Sequence, residues 1–226
     1  MRTFRTIIAV VSVALVFTNC DTEEPILPDT TPPVITVPEE IIEVGLGDKS
    51  AVLQGVTAKD DVDGDLTKSI NILSDVETVG IDTIKFEVSD KAGNKATATR
   101  VVMVSAKKLV GKYNVSYKDV ISNKGGTYEI NIFEEDADIT VKVSGFHYYK
   151  VKIEMLGNGP RQLKIVEYFG AHPVDGDVRY TLSGTATFEA VNATKDKYNL
   201  VSFDYKLTPE FKDDVEEFTA TCERLQ

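Results

Sequence analysis

Apolar and polar residues alternate with a period of two through most of the chain, a pattern that predicts strands rather than helices. Ile84, Phe86 and Val88 alternate with Lys85, Glu87 and Ser89. After Asp90-Lys91-Ala92-Gly93-Asn94-Lys95 the alternation resumes at Ala96 and Ala98, then Val102 and Val104. Two such runs about a Gly-Asn turn predict a hairpin in which Gly93 takes the positive φ that the turn needs. Between residues 34 and 105 short runs of this kind are broken by turn residues roughly every eight to twelve positions, as in a β-sandwich.

Beyond residue 107 the runs lengthen and Tyr and Phe become more frequent. Tyr113, Val115 and Tyr117 form one series, and Ile139, Val141 and Val143 a second. Tyr149, Val151, Ile153 and Met155 form a third, Val201, Phe203, Tyr205 and Leu207 a fourth, and Phe218, Ala220 and Cys222 the last. Turns are expected at Gly125-Gly126, Gly145, Gly157-Asn158-Gly159-Pro160, Gly170, Asp175-Gly176 and Gly184. About eight or nine antiparallel strands with one buried face result, which suits an up-and-down barrel of lipocalin type or a two-sheet sandwich. The predicted fold class is all-β, in two domains at residues 34–106 and 107–226. Ala106-Lys107-Lys108 offers little to bury, so few contacts are expected across the junction.

The first 33 residues break the alternation. Arg2 and Arg5 precede an apolar run over residues 7–17, about half the ~20 residues that a spanning helix needs, in the order of a secretory signal. Val16-Phe17-Thr18-Asn19-Cys20 resembles a bacterial lipobox, which implies a signal peptide at residues 1–19, acylation at Cys20 and anchoring in the outer membrane. Residues 20–33 then form an acidic tether with Pro25, Pro28, Pro32 and Pro33. In polyproline form, at ~3.1 Å per residue, the tether reaches about 40 Å. The acidic cluster Asp21-Thr22-Glu23-Glu24 resembles the signal for surface export in Gram-negative gut anaerobes, whereas under the rule of enteric bacteria an aspartate beside the lipidated cysteine holds the protein at the inner membrane.

Charge and cysteine count narrow the functional classes. The net charge is −11. Loss of Arg2 and Arg5 with the signal leaves 23 basic against 36 acidic residues, or −13. Such a chain repels nucleic acid, which is not an expected partner. With Cys20 acylated, Cys222 has no partner in the chain and stability must come from packing.

Motifs along the first domain carry a resemblance. Asp29-Thr30-Thr31-Pro32-Pro33-Val34-Ile35, Asp60-Asp61-Val62-Asp63-Gly64-Asp65-Leu66-Thr67, Val79-Gly80-Ile81-Asp82-Thr83 and Ser89-Asp90-Lys91-Ala92-Gly93-Asn94 occur in that order. They resemble bacterial Ig-like domains related to the hyalin-repeat group and to a module of pesticidal crystal proteins. The resemblance covers residues 29–105 and implies an Ig-like β-sandwich that serves as a spacer or adhesive module. The second domain resembles domains of unknown function that follow Ig-like modules in surface lipoproteins.

Two regions are candidates for chemistry. Closely spaced carboxylates on a Gly-containing loop can converge on calcium, which takes six to eight oxygens. Asp60, Asp61, Asp63 and Asp65 form such a loop, with Asp90 and Asn94 as further donors, although Asp and Gly also build turns by themselves. In the second domain Phe146-His147-Tyr148-Tyr149 is rich in rings. Continuing the parity of Val151 and Ile153 turns Tyr149 inward and leaves Phe146 and Tyr148 outside, where Tyr168, His172 and Arg179 can join them in a sugar-binding face. Packing against a neighbouring domain is the alternative use of such rings.

Catalysis has little support. The two histidines, His147 and His172, sit in no nucleophile or metal motif, and carboxylates such as Glu134, Glu135, Asp136, Asp175 and Asp177 read as a solvated face. Cys222 falls on an apolar alternation and reads as a small hydrophobe. The expectation is a non-catalytic lipoprotein whose second domain binds a glycan or other extracellular ligand. A structural or adhesion subunit of a surface assembly, or a glycoside-processing enzyme, are the alternatives.

Overall fold

The computed structural model describes residues 27–133, 140–147, 151–171, 179–195, 197–210 and 215–226. The signal region and Cys20 lie outside them. The described chain is all-β apart from short 3-10 turns.

The first domain comprises β1 (Val34–Thr36), β2 (Ile42–Gly45), β3 (Thr57–Asp60), β4 (Gly64–Asp65), β5 (Asn71–Ile72), β6 (Gly80–Ser89) and β7 (Lys95–Ser105). One sheet has the order β1-β3-β4 and the other β2-β7-β6-β5, with β2 parallel to β7. The hairpin of β6 and β7 pairs Gly80 with Val104 through to Ser89 with Lys95, and Gly93 has φ 94°. Ile84, Phe86, Val88, Val102 and Val104 are buried, as their alternation predicts. Arg100 shares that inward parity and is also buried, at 4 % exposure. Its guanidinium donates to the carbonyls of Val52, Gln54 and Glu40, which partners its buried charge and ties two loops to the hairpin.

The second domain comprises β8 (Gly111–Asp119), β9 (Gly125–Phe133), β10 (Val141–Phe146), β11 (Val151–Gly157), β12 (Gln162–Ile165), β13 (Tyr168–Ala171), β14 (Arg179–Ala190), β15 (Tyr198–Pro209) and β16 (Glu216–Arg224). Neighbours pair in sequence order from β8 to β12 and from β13 to β16, β16 returns to β8, and β12 pairs with β14. β12 takes residues 185–187 of β14 and β13 takes residues 179–182, so these two short strands lie end to end as one stave. The result is an up-and-down barrel of eight staves, closed, and not a sandwich. Closure removes the free strand edges that invite unwanted pairing.

Side chains fill the barrel, as an eight-stranded barrel permits. Tyr113, Ile130, Ile132, Val143, Phe146, Met155, Leu163, Phe188 and Phe203 are buried inside. Two bulges break the simple parity. In β10 the register shifts between Val143 and Phe146, around Gly145 at φ 82°, where a Cβ would meet the Glu129 carbonyl oxygen at 2.6 Å. The extra residue turns Phe146 inward, contrary to the outward orientation that parity predicts. In β15 the register shifts where Phe188 pairs with Leu200 and Thr187 with Ser202. There Leu200, not Val201, points into the core.

β7 ends at Ser105, a 3-10 turn covers Lys107–Leu109, and β8 starts at Gly111. More crosses this junction than its composition suggests. Glu77, 2 % exposed, accepts hydrogen bonds from Arg161 Nε at 2.5 Å, Lys195 Nζ at 2.6 Å and the Tyr198 hydroxyl at 3.3 Å. The Arg161 amide donates to the Glu77 carbonyl at 2.9 Å. Lys108 Nζ donates to the carbonyls of Leu46 and Lys195. Gly157 approaches so closely that a Cβ there would lie 1.9 Å from the Val79 carbonyl oxygen. Arg161 and Lys195 both have positive φ, 58° and 54°, a conformation that non-glycine residues keep where their surroundings over-determine it.

Candidate functional site

The acidic loop is built from turns that consume most of its oxygens. Asp60 Oδ1 accepts the amides of Val62 and Asp63 at 3.0 and 2.8 Å. Asp63 accepts the Lys91 amide at 2.6 Å and its ammonium at 2.8 Å. Those contacts hold the Asp63 carboxyl below the usual carboxylate range. Asp65 caps Thr67 through its amide at 2.9 Å, which lowers its pKa in the same way. The Thr67 hydroxyl oxygen in turn accepts the Ala58 amide at 3.1 Å. Asp90 uses both oxygens on Asn94, one on its amide at 2.7 Å and one on its side chain at 2.8 Å. Of the expected donors, Asp63, Asp65, Asp90 and Asn94 are therefore engaged in holding the loops together.

The structure instead gathers Asp29, Asp60 and Asp61. One carboxylate oxygen from each lies within 4.8 Å of the others. Asp29 comes from the tether and was not among the expected donors. Its one sequence signal is its place at the head of the Asp29-Thr30-Thr31-Pro32-Pro33 motif.

Of the expected sugar-binding set, Phe146, Tyr168 and Arg179 fall among the described residues. Tyr148 and His172 lie outside the described residues, as do Tyr149, Glu134, Glu135, Asp136, Asp175 and Asp177. Phe146 is 0 % exposed, edge-on to Phe203 at 4.9 Å and to Tyr205 at 5.0 Å. His147 follows it at φ 57° and is buried among the rings of Tyr117, Tyr128, Tyr205 and Phe218. Tyr168 is half-buried and packs against the core. Arg179 is exposed, its guanidinium 5.5 Å from the ring centre of Phe169, and Phe169 is 51 % exposed.

Phe169 and Arg179 stand at the corner of a polar wall that sequence reading missed. Strand register places Thr181 and Thr208 opposite one another, then Ser183, Lys206 and Glu217, then Thr185, Asp204, Thr219 and Lys118, then Thr187, Ser202, Thr221 and Ser116. Their inward neighbours Leu182, Phe203, Tyr205, Phe218 and Ala220 are buried. Two shallow recesses of about 330 and 430 Å³ lie on this wall and share Asp204 and Thr219. Thr187 and Ser202 hydrogen-bond each other at 2.7 Å. Lysines such as Lys118 and Lys206 on an outer barrel face would each cost about 2–4 kcal/mol at a bilayer midplane, so this wall is built for water. Its signal was present as the polar half of each alternation, which reads as an ordinary solvated face.

Cys222 is half-buried on β16, and burial pushes its thiol up to about 12. Almost none of it is thiolate at neutral pH, so it is a poor nucleophile.

Residues 39–104 match the family described as bacterial surface protein, Ig-like domain. That is less than a third of the chain. The Ig-like character of the first domain thus stands on sequence as well as on topology.

Among solved structures, a redesigned β-barrel is similar over 54 % of this chain and 95 % of its own, at 16 % identity and a TM-score of 0.32. A lipoprotein of Bacteroides thetaiotaomicron is similar over 84 % of this chain and 100 % of its own, at 14 % identity and a TM-score of 0.24. The CBM51-2 and INT domains of ZmpB from Clostridium perfringens, in complex with GlcNAc, are similar over 86 % of this chain and 44 % of theirs, at 14 % identity and a TM-score of 0.27. Scores this low tell nothing of function. No curated protein matches the chain.

Proposed function

We propose that the chain is a non-catalytic lipoprotein of the bacterial outer membrane, displayed at the cell surface. In this reading its Ig-like module is a spacer, and its barrel binds a glycan or another extracellular ligand. The observation that carries the reading is the match of residues 39–104 to a surface Ig-like domain, placed between the lipobox-like Cys20 and the barrel. The resemblance of the motif at residues 60–67 to the hyalin-repeat and crystal-protein groups supports the spacer role.

The polar wall supports the ligand-binding part. Sugar hydroxyls pair with Ser and Thr hydroxyls, carboxylates and ammonium groups, and Asp204, Thr219, Ser202, Lys206 and Lys118 offer all of these on one rigid face. The exposed ring of Phe169, beside Arg179, adds an apolar surface at its edge. A filled interior leaves the outside of the barrel as the working surface.

Anchoring and display are tested in cells. Labelled palmitate should enter the wild type, whereas Cys20→Ala should be unlabelled and released from membranes. Proteinase added to intact cells should digest the wild-type protein. Label retained by Cys20→Ala would contradict the anchor, and full protection from proteinase would contradict surface display.

A further inference from the structure

We propose that Asp29, Asp60 and Asp61 form a divalent-cation site, with calcium as its ion, that fastens the end of the tether to the Ig-like module. The first support is convergence: one oxygen from each of the three carboxylates lies within 4.8 Å of the other two. The second is independent of the clustering. Asp60 is only 9 % exposed, and its Oδ2 is buried without a hydrogen-bond partner, while Oδ1 is held by the amides of Val62 and Asp63. Asp29 Oδ2 is likewise buried without a partner, with Oδ1 taken by the Thr31 amide at 2.9 Å.

Buried carboxylate oxygens normally have a donor or a cation. Among the described residues, no Lys or Arg forms an ion pair with any of the three. Lys91, which reaches the acidic loop from the turn between β6 and β7, is spent on Asp63. Two carboxylates that each carry a desolvated, unpartnered oxygen, gathered beside a third carboxylate, thus present a concentrated negative charge that a hard cation neutralises, with water completing its shell. Calcium suits this better than magnesium. Carboxylates bind it in mono- or bidentate fashion at flexible geometry, whereas magnesium demands a near-ideal octahedron and keeps its waters.

The site joins two distant parts of the chain. Asp29 belongs to the tether, while Asp60 and Asp61 end β3 and open its turn. Asn94 already reaches the same segment, its side-chain amide donating to the Asp29 carbonyl at 3.2 Å and the Thr31 carbonyl at 3.4 Å. A bound cation would lock that segment, so that the module leaves the tether in one direction when calcium is present.

The full chain in detergent, stripped with chelator, tests this by calorimetric titration with calcium chloride. One equivalent of calcium should bind, with a Kd of about 10⁻⁴–10⁻³ M as in extracellular modules. Saturation should raise Tm and slow hydrogen exchange in a peptide spanning residues 27–36. Asp61→Ala removes an exposed side chain and so leaves the fold intact. It should weaken binding at least tenfold and abolish the change in exchange, as should Asp29→Asn. Magnesium at the same concentration should do little. No heat and no shift in Tm would overturn the proposal. So would calcium binding of equal strength in wild type, Asp61→Ala and Asp29→Asn, since that binding would belong to the acidic surface at large.

Discussion

Glu77→Ala is expected to destabilise the protein by about 2–3 kcal/mol and to uncouple the unfolding of the Ig-like module from that of the barrel. Removing one member of a buried ionic cluster strands the rest, which costs about 3–5 kcal/mol when all are fully buried. Here Arg161 and Lys195 are 46 % and 29 % exposed and recover some hydration, hence the lower figure. For a chain of this size the loss corresponds to a fall of about 5–10 °C in Tm. Differential scanning calorimetry should show one transition in the wild type and two in the variant. An unchanged single transition would mean that the buried apolar contacts couple the domains without the charge cluster.

The same residue sets a pH dependence. Burial alone would push the Glu77 carboxyl up, but hydrogen bonds and charge from Arg161 and Lys195 outweigh it and hold the pKa below its ordinary value. A folded-state pKa below the unfolded value, about 4.3 for Glu, gives stabilisation that is complete above that pH. It is lost as pH falls through the folded value. Acid should therefore loosen the junction below about pH 4, and Glu77→Gln should lack that component of the acid transition.

Phe146→Ala is expected to cost about 3–5 kcal/mol, the range for deleting a buried aromatic ring. Phe146 is fully buried, with Phe203, Tyr205 and Tyr128 edge-on around it. Phe169→Ala, a half-exposed ring on the outer face, should change stability by no more than about 0.5 kcal/mol. Urea denaturation of both variants measures the contrast. A small loss for Phe146→Ala would mean that the ring lies on the outer face after all.

This contrast also marks where period-two reading stops. The hairpin of β6 and β7 was legible because its inward residues alternate without interruption and its turn carries Gly93. The bulges at Gly145 and near Val201 each insert one residue, and beyond each one every parity assignment flips. Gly145 was recognisable as a break, but nothing local distinguishes a turn from a bulge. Barrel and sandwich share the same alternation. They part company only in the pairing of β16 with β8, residues about a hundred positions apart.

The candidate sites divide along the same line. The turn chemistry of Asp60, Asp63 and Asp65 was visible as a motif, yet which oxygens remain over depends on Lys91 and Asn94 from another loop and on Asp29 from the tether. Glu77 and its partners Arg161, Lys195 and Tyr198 meet only because two domains dock. Arg100 is the exception that a stricter reading would have found, since it occupies an inward position in an otherwise apolar series.

The claim that the barrel presents a glycan-binding face is tested most directly on a glycan array spanning plant, host and bacterial polysaccharides, probed with the detergent-solubilised chain. Retention on at least one polysaccharide class is expected. Thr219→Ala combined with Phe169→Ala should abolish retention while leaving the melting curve in place. Absence of binding to every polysaccharide, together with co-purification of an outer-membrane protein from its native cells, would contradict it and make the chain a subunit of a surface assembly.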